Sequence, residues 1–349
     1  MITHPATVEI VPENALILVI FAPNSACQDK PICQNDSMNI RWKFLLLATL
    51  LLAACSPERS EVNTPTEARP VIANAAIDEA SGLQASRGHP DTWFVHNDDG
   101  APVLFAMATD GRDLGSVEIQ GAGNRDWEDI TGFRHEEQDY LVIADSGDNF
   151  AQWDEITLYF VPEPQPGADG RYRGNVPLRH RIDLHYPDGP RDCESVAFDP
   201  ASQSLLLLTK RDVPPRLYTI DLETALASTR AELEFLGESI RFRAPSSEDM
   251  RHFGPRDGRW VSQPTGMDID ADGQRAAVIS YRSVYLFERE EGMSWAQALT
   301  RPPVELLGPP ARKEESIGFS RDGEFLLITT EGVPAPLYRF PLKGDTPLP

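Results

Sequence analysis

Five look-alike segments at near-regular spacing, a pair of strand-like runs after each, and almost no helical periodicity predict an all-β fold for this chain. The architecture they predict is a five-bladed β-propeller whose last blade is closed by an N-terminal strand; six blades or an irregular β-sandwich are the alternatives. The segments are Ser81-Gly82-Leu83, Glu128-Asp129-Ile130, Glu194-Ser195-Val196, Thr265-Gly266-Met267 and Glu315-Ser316-Ile317. Each puts an oxygen-bearing side chain first and an apolar residue third. Their spacings of 47, 66, 71 and 50 residues bracket the period of a four-stranded blade once insertions at 162–174 and 245–260 are allowed.

The strand runs follow in order. Trp93-Phe94-Val95 precedes Val103-Leu104-Phe105, Leu141-Val142-Ile143 precedes Leu158-Tyr159-Phe160, and Leu205-Leu206-Leu207-Leu208 precedes Leu217-Tyr218-Thr219-Ile220. Ala277-Val278-Ile279 with Val284-Tyr285-Leu286-Phe287, and Phe325-Leu326-Leu327-Ile328 with Leu337-Tyr338-Arg339-Phe340, complete the series. Asp-Gly turns at 110–111, 272–273 and 322–323 supply tight connections. Only 223–235 has the makings of a helix. After Glu315 just 34 residues remain, enough for three strands. Pro70-Val71-Ile72-Ala73 is available as the fourth, and using it leaves the ring no open edge.

Ahead of this domain lies an address. Met38-Asn39-Ile40-Arg41-Trp42-Lys43 is a basic start, Phe44 to Leu51 is an apolar run too short to span a bilayer, and Leu52-Ala53-Ala54-Cys55 completes a lipobox. The pattern resembles bacterial lipoprotein signals. That resemblance implies cleavage after Ala54, acylation of Cys55 and a stable lipid anchor, with Ser56 in second place directing the protein to the outer membrane, periplasm-facing or at the cell surface. The expected organisation is therefore an upstream mis-start at 1–37, a signal peptide at 38–54, a flexible tether at 55–68 and the propeller at 69–349.

Charge narrows the partners. The whole chain carries 54 acidic against 32 basic residues. Removing 1–54 leaves 50 against 29, which argues against nucleic acid and is compatible with divalent cations. Of four cysteines, only Cys193 would remain besides the anchor, so neither an intrachain disulfide nor a cysteine zinc site is expected. A monomer is expected.

In a propeller the first residues of the innermost strands gather at one channel mouth. Ser81, Glu128, Glu194, Thr265 and Glu315 would converge there, and three carboxylates in a narrow channel repel one another unless a cation sits among them. Hard oxygen donors suit Ca²⁺. The alternative is that these side chains only fasten strand starts by accepting backbone N–H bonds. The order Ser, Glu, Glu, Thr, Glu resembles the channel calcium site of soluble calcium-activated nucleotidases, the five-bladed apyrases, and the likeness lies in that pattern alone. Ala80-Ser81-Gly82-Leu83, Val95-His96-Asn97-Asp98, Asn124 to Ile130, Asp145-Ser146-Gly147-Asp148-Asn149 and Val161-Pro162-Glu163-Pro164 resemble a group of secreted bacterial propeller proteins of unsettled activity. More remotely they resemble propellers called phytase-like or esterase-like.

Loops after the second strand of each blade should reach the same mouth. They offer His96, Asp98, Asp145, Lys210 and Arg282, and Arg125-Asp126 and Arg191-Asp192 stand in matching register before Glu128 and Glu194. Cations beside a metal suit a small anionic ligand; Arg-Asp pairs that merely bridge loops are the plainer reading. His96 is either a general base or polar surface. Asp145 to Asn149 reads as a turn, because Ile156 stands where a calcium-loop glutamate would be required. Two functions follow. One is a lipid-anchored binding or scaffold module, with a small anionic ligand, glycan or envelope protein at the mouth. The other is a calcium-dependent hydrolase of a phosphoester, nucleotide, lactone or ester.

Overall fold

The computed structural model describes residues 70–307 and 313–342. The mis-start, the signal segment, Cys55 and the tether lie outside the described residues. Blade one is β1 (Ala80–Ala85), β2 (Thr92–Asn97), β3 (Val103–Ala108) and β4 (Asp113–Gln120). Blade two is β5 (Trp127–His135), β6 (Gln138–Asp145), β7 (Ile156–Pro162) and β9 (His180–His185); β8 (Asn175–Pro177) leaves it to pair in parallel with β4. Blade three is β10 (Cys193–Asp199), β11 (Ser204–Thr209), β12 (Arg216–Asp221) and β14 (Glu234–Glu238), while its β13 (Arg230–Glu232) pairs in parallel with β9. Blade four is β15 (Gly266–Ile269), β16 (Arg275–Ile279), β17 (Ser283–Glu288) and β18 (Val304–Leu307). Blade five has β19 (Glu314–Phe319), β20 (Phe325–Thr330) and β21 (Tyr338–Pro341). The inner strands contact one another in a closed circuit, β1–β5–β10–β15–β19–β1.

Sheets in such a ring are buried on both faces, so alternate side chains of one strand enter different wedges. The run Leu205–Leu208 shows this directly. Leu205 and Leu207 pack with Phe133, Phe160 and Phe198 toward blade two, whereas Leu206 and Leu208 pack with Met267, Val278 and Trp295 toward blade four.

The N-terminal strand closes the ring as expected, reduced to its shortest form. Val71 bridges Pro336, the Ile72 N–H donates to Ala335 O (2.8 Å), and the Leu337 N–H donates to Pro70 O (2.8 Å). Ile72 is buried with Leu83, Trp93 and Leu327. Gly111, at φ +84°, lets this segment cross blade one, since any Cβ there would collide with the Val71 carbonyl. Deleting 70–75 is expected to cost about 3 kcal/mol, one buried isoleucine plus the bridge hydrogen bonds. A urea midpoint equal to that of the intact chain would show that the strand does not close the ring.

Two local expectations need correction. The helical segment in 223–235 ends early: α1 (Leu222–Ala227), capped by Asp221, gives way to β13 because the edge of β9 recruits 230–232 as a partner. The insertion at 245–260 is not plain loop. It holds α2 (Ser247–Asp257), started by a reciprocal Ser246–Asp249 capping box, and then a single 3₁₀ turn. A short α3 (Trp295–Ala298) lies within blade four.

Candidate functional site

The site is built by irregular strand starts. Pairing between the first two strands shifts register between Ala80 and Gly82, Trp127 and Asp129, Cys193 and Val196, and Glu314 and Ser316. The residues left out of the ladders are Ser81, Glu128, Glu194 with Ser195, and Glu315. Such bulges break the in–out alternation and re-aim a side chain. The consequence is that four of the five repeat positions owe their placement to a bulge. Thr265 stands just before β15, its N–H on Ile279 O at 2.9 Å.

Glu128, Glu194 and Glu315 reach a cavity of about 540 Å³ shared with Asp98, Asp126, Glu331, Lys210, Arg211 and Tyr281. Its rim is supplied partly by α2, through Arg256, and by the 3₁₀ turn after it, through Arg259 and Trp260, with Phe150 and Lys313. A cation already stands among the acids. The Lys210 ammonium is 3% exposed, pairs with Glu194, donates to Tyr281 Oη at 3.0 Å and lies 4.7 Å from that ring's centre. Burial works against its charge, but Glu194, Tyr281, Glu315 and Glu128 hold its pKa well above the usual lysine range. Arg211 pairs with Asp192 and Asn149 and approaches Glu194 at 3.6 Å.

Two cations do not neutralise this set. Burial, then Glu194 and Asp126, push the Glu128 carboxyl well up. Burial raises Glu315 too, with Lys210 opposing and Glu331 reinforcing, and it raises Glu194 despite Lys210. Without a further cation these groups retain protons at pH values where free glutamates ionise. Asp98 is pushed up to about 7 by burial and by Glu79.

The remaining candidates are placed elsewhere. The Ser81 hydroxyl donates to the Glu128 carbonyl (3.0 Å) and the Thr265 hydroxyl to the Glu314 carbonyl (2.8 Å), tying neighbouring blades. His96 is wholly buried edge-on to Trp127, its Nε2 against Gly82, and burial lowers its pKa to about 4. It does not line the cavity. Arg125 bonds the Asp145 and Glu155 carbonyls and lies over Trp153, and Asp145 accepts the Asp126 N–H (3.0 Å). Arg191 bridges Asp188 and Asp212, and Arg282 pairs with Asp249 to hold α2. These arginines serve loops rather than the cavity.

The strand fasteners are residues to which sequence reasoning gave no role. Asp129 Oδ2 accepts N–H bonds from Val196 (2.8 Å) and Met267 (3.0 Å), and Oδ1 accepts from Ile130 (2.9 Å), so one carboxylate joins blades two, three and four. Asp268 repeats the device toward blade five through Phe319 (2.8 Å). Two polar residues in succession at the head of an apolar strand, as in Glu128-Asp129, are the signal that marks both roles.

The acids fit a cation. One oxygen each from Glu128, Asp192 and Glu194 lies within 4.8 Å of the others. Oxygens around one Ca²⁺ at about 2.3–2.6 Å stand no more than about 5 Å apart. Gly147 leaves the space: a Cβ there would collide with the carboxylates of Glu128 and Asp126. Glu315 stands outside this closest trio, and Asp192 inside it.

No protein-family model matches this sequence, and no curated protein does. Solved structures with similar chain traces include Raptor of Chaetomium thermophilum (TM-score 0.38, 12% identity over 80% of this chain), of which the chain spans 21%. Hydrazine synthase of Kuenenia stuttgartiensis (0.40, 13%, covering 76% of this chain and 84% of that one) is another. A third is a candidate 6-phosphogluconolactonase of Bacteroides uniformis (0.38, 14%, 76% and 68%). At these values the likenesses assign neither family nor activity.

Proposed function

We propose that this chain is a cell-envelope propeller, lipid-anchored through Cys55, whose acidic mouth holds one Ca²⁺ and binds a small anionic ligand above it. The observation that carries the reading is the layering of charge. Carboxylates from the inner strands are buried, while Arg211, Arg256, Arg259 and Lys313 stand toward the opening, Lys313 paired there with Asp257 (3.8 Å) and Glu331 (3.6 Å). Glu128, Asp192 and Glu194 would hold the ion, and bound there it would supply positive charge to an oxygen of the ligand. Guanidinium groups suit phosphate or carboxylate. Phe150, 79% exposed, and Trp260 add flat apolar surface suited to a glycan or peptide flank.

Metal analysis of gently purified protein and a calcium titration of its melting temperature test this. About one equivalent of calcium is expected, with stabilisation that grows with its concentration. Glu194→Gln should weaken calcium binding about tenfold or more. Protein without bound metal, and with neither heat nor melting shift on adding calcium, would leave the glutamates as partners of Lys210 alone.

A second reading, hydrolysis, is favoured by one residue. Asp98, with its pKa near 7 and on the cavity wall, matches a general base for water at neutral pH.

A further inference from the structure

We propose that the far end of the channel is a second binding site, taking a small multiply charged oxyanion of the phosphate class among Arg87, Arg134 and Arg321. The inner strands begin at the acidic mouth and finish here: six residues, about 20 Å of extended chain, separate Glu128 from Arg134. Between the two ends the Asp129 carboxylate ties three blades together.

A cavity of about 170 Å³ lies at this end, lined by Gln84, Gly132, Asp268 and the three arginines among others. It is far smaller than the roughly 300–1,000 Å³ of pockets for larger organic ligands, and suits a tetrahedral ion with its waters. Charge here inverts that of the chain as a whole. Asp139 serves both Arg87 and Arg134, at 3.5 Å each, and the Arg87 Nε is buried without a hydrogen bond. Arg321 makes no hydrogen bond or ion pair among the described residues. The acids nearby are engaged. Asp268 gives its two oxygens to the N–H groups of Phe319 and Ile269, at 2.8 Å each. Glu163 accepts from the Ser86 hydroxyl (2.5 Å) and the N–H groups of Arg87 (2.9 Å) and Gly88 (3.0 Å). Burial further pushes Asp268 up to about 7, which thins the negative charge at neutral pH. Arg134 spends its η nitrogens on Asp139 (3.5 Å) and the Glu137 carbonyl (2.9 Å) and contributes charge, whereas the forks of Arg87 and Arg321, beside a small polar cavity, are chemistry for bidentate recognition of an oxyanion.

Calorimetric titration of the full chain with inorganic phosphate, at constant ionic strength, should show one saturable site. Arg321→Gln, at an exposed side chain, should keep the melting temperature and weaken phosphate about tenfold or more, the loss of one charge-assisted contact. Arg87→Gln should act in the same direction. Glycerol 3-phosphate displacing phosphate would extend the site to phosphate esters. Absence of saturable heat overturns the proposal. So does phosphate binding that Arg259→Gln abolishes and Arg321→Gln spares, since the ion then sits at the acidic mouth. Binding to phosphatidic-acid vesicles without binding of free phosphate also overturns it, because the contact is then a surface and not this cavity.

Discussion

Asp129→Ala is expected to remove several kcal/mol of stability, about 4 kcal/mol, and to lower the urea midpoint and the melting temperature accordingly. Three backbone N–H groups, from Val196, Met267 and Ile130, lose their acceptor at once. All lie in buried strands that water does not reach, and each stranded donor costs on the order of 1–3 kcal/mol. The total is a large share of the roughly 5–15 kcal/mol that holds a typical domain together. Burial raises the Asp129 pKa while the three donors oppose the rise. Asp129→Asn keeps one acceptor oxygen and should fall between alanine and wild type. Urea unfolding of the three proteins decides it. An alanine variant within 1 kcal/mol of wild type would mean that the carboxylate does not bind the blades together.

That prediction depends on a residue the sequence shows but does not explain. Period-two alternation and turn chemistry locate nearly every strand, because burial on both faces writes continuous runs such as Leu205–Leu208 and because Asp-Gly turns need a positive φ. Alternation fails at the strand heads. There Glu128-Asp129 and Glu315-Ser316 put polar groups in succession, and only the register of the paired strand tells which one is bulged into the mouth and which one looks between blades. Glu128, Glu194 and Glu315 were therefore legible as a convergent set from spacing alone. Lys210 was legible as a mouth residue from its place after the second strand of blade three, but its burial among the acids was not. From the chain, Lys210 is one charged loop residue beside Arg211, and nothing local distinguishes the buried cation from its half-exposed neighbour. His96 misled for the opposite reason. A histidine in a polar run suggests surface or catalysis, whereas here it fills the space that Gly82 leaves under Trp127. The α2 segment carried a readable start in Ser246 and Asp249, obscured by Pro255 inside the pattern and by Gly254 at φ +78°.

Lys210→Met is expected to destabilise the fold by about 3–5 kcal/mol at pH 8, the penalty for stripping the partner from a buried charge. The effect should shrink as pH falls. Glu128, Glu194 and Glu315 all have folded-state pKa values raised above their unfolded ones. Between the ordinary glutamate value of 4.5 and those raised values the folded state binds more protons than the unfolded state, so stability declines as pH rises through that window. Metal-free wild type should accordingly melt higher at pH 5.5 than at pH 8. In the variant the slope should steepen, because the group that opposed the rise of Glu194 and Glu315 is gone. Calcium acts the other way. It binds ionised carboxylates, so its stabilisation should be largest at pH 8, and it should bind the variant more tightly than wild type, since Lys210 competes with it for Glu194. Melting curves at the two pH values, with and without calcium, separate the possibilities. A variant as stable as wild type at pH 8 without calcium would show that Lys210 does not compensate the mouth. A variant destabilised at pH 8, rescued at pH 5.5, and unmoved by calcium would keep Lys210 as the compensating charge and remove the metal from the proposed function.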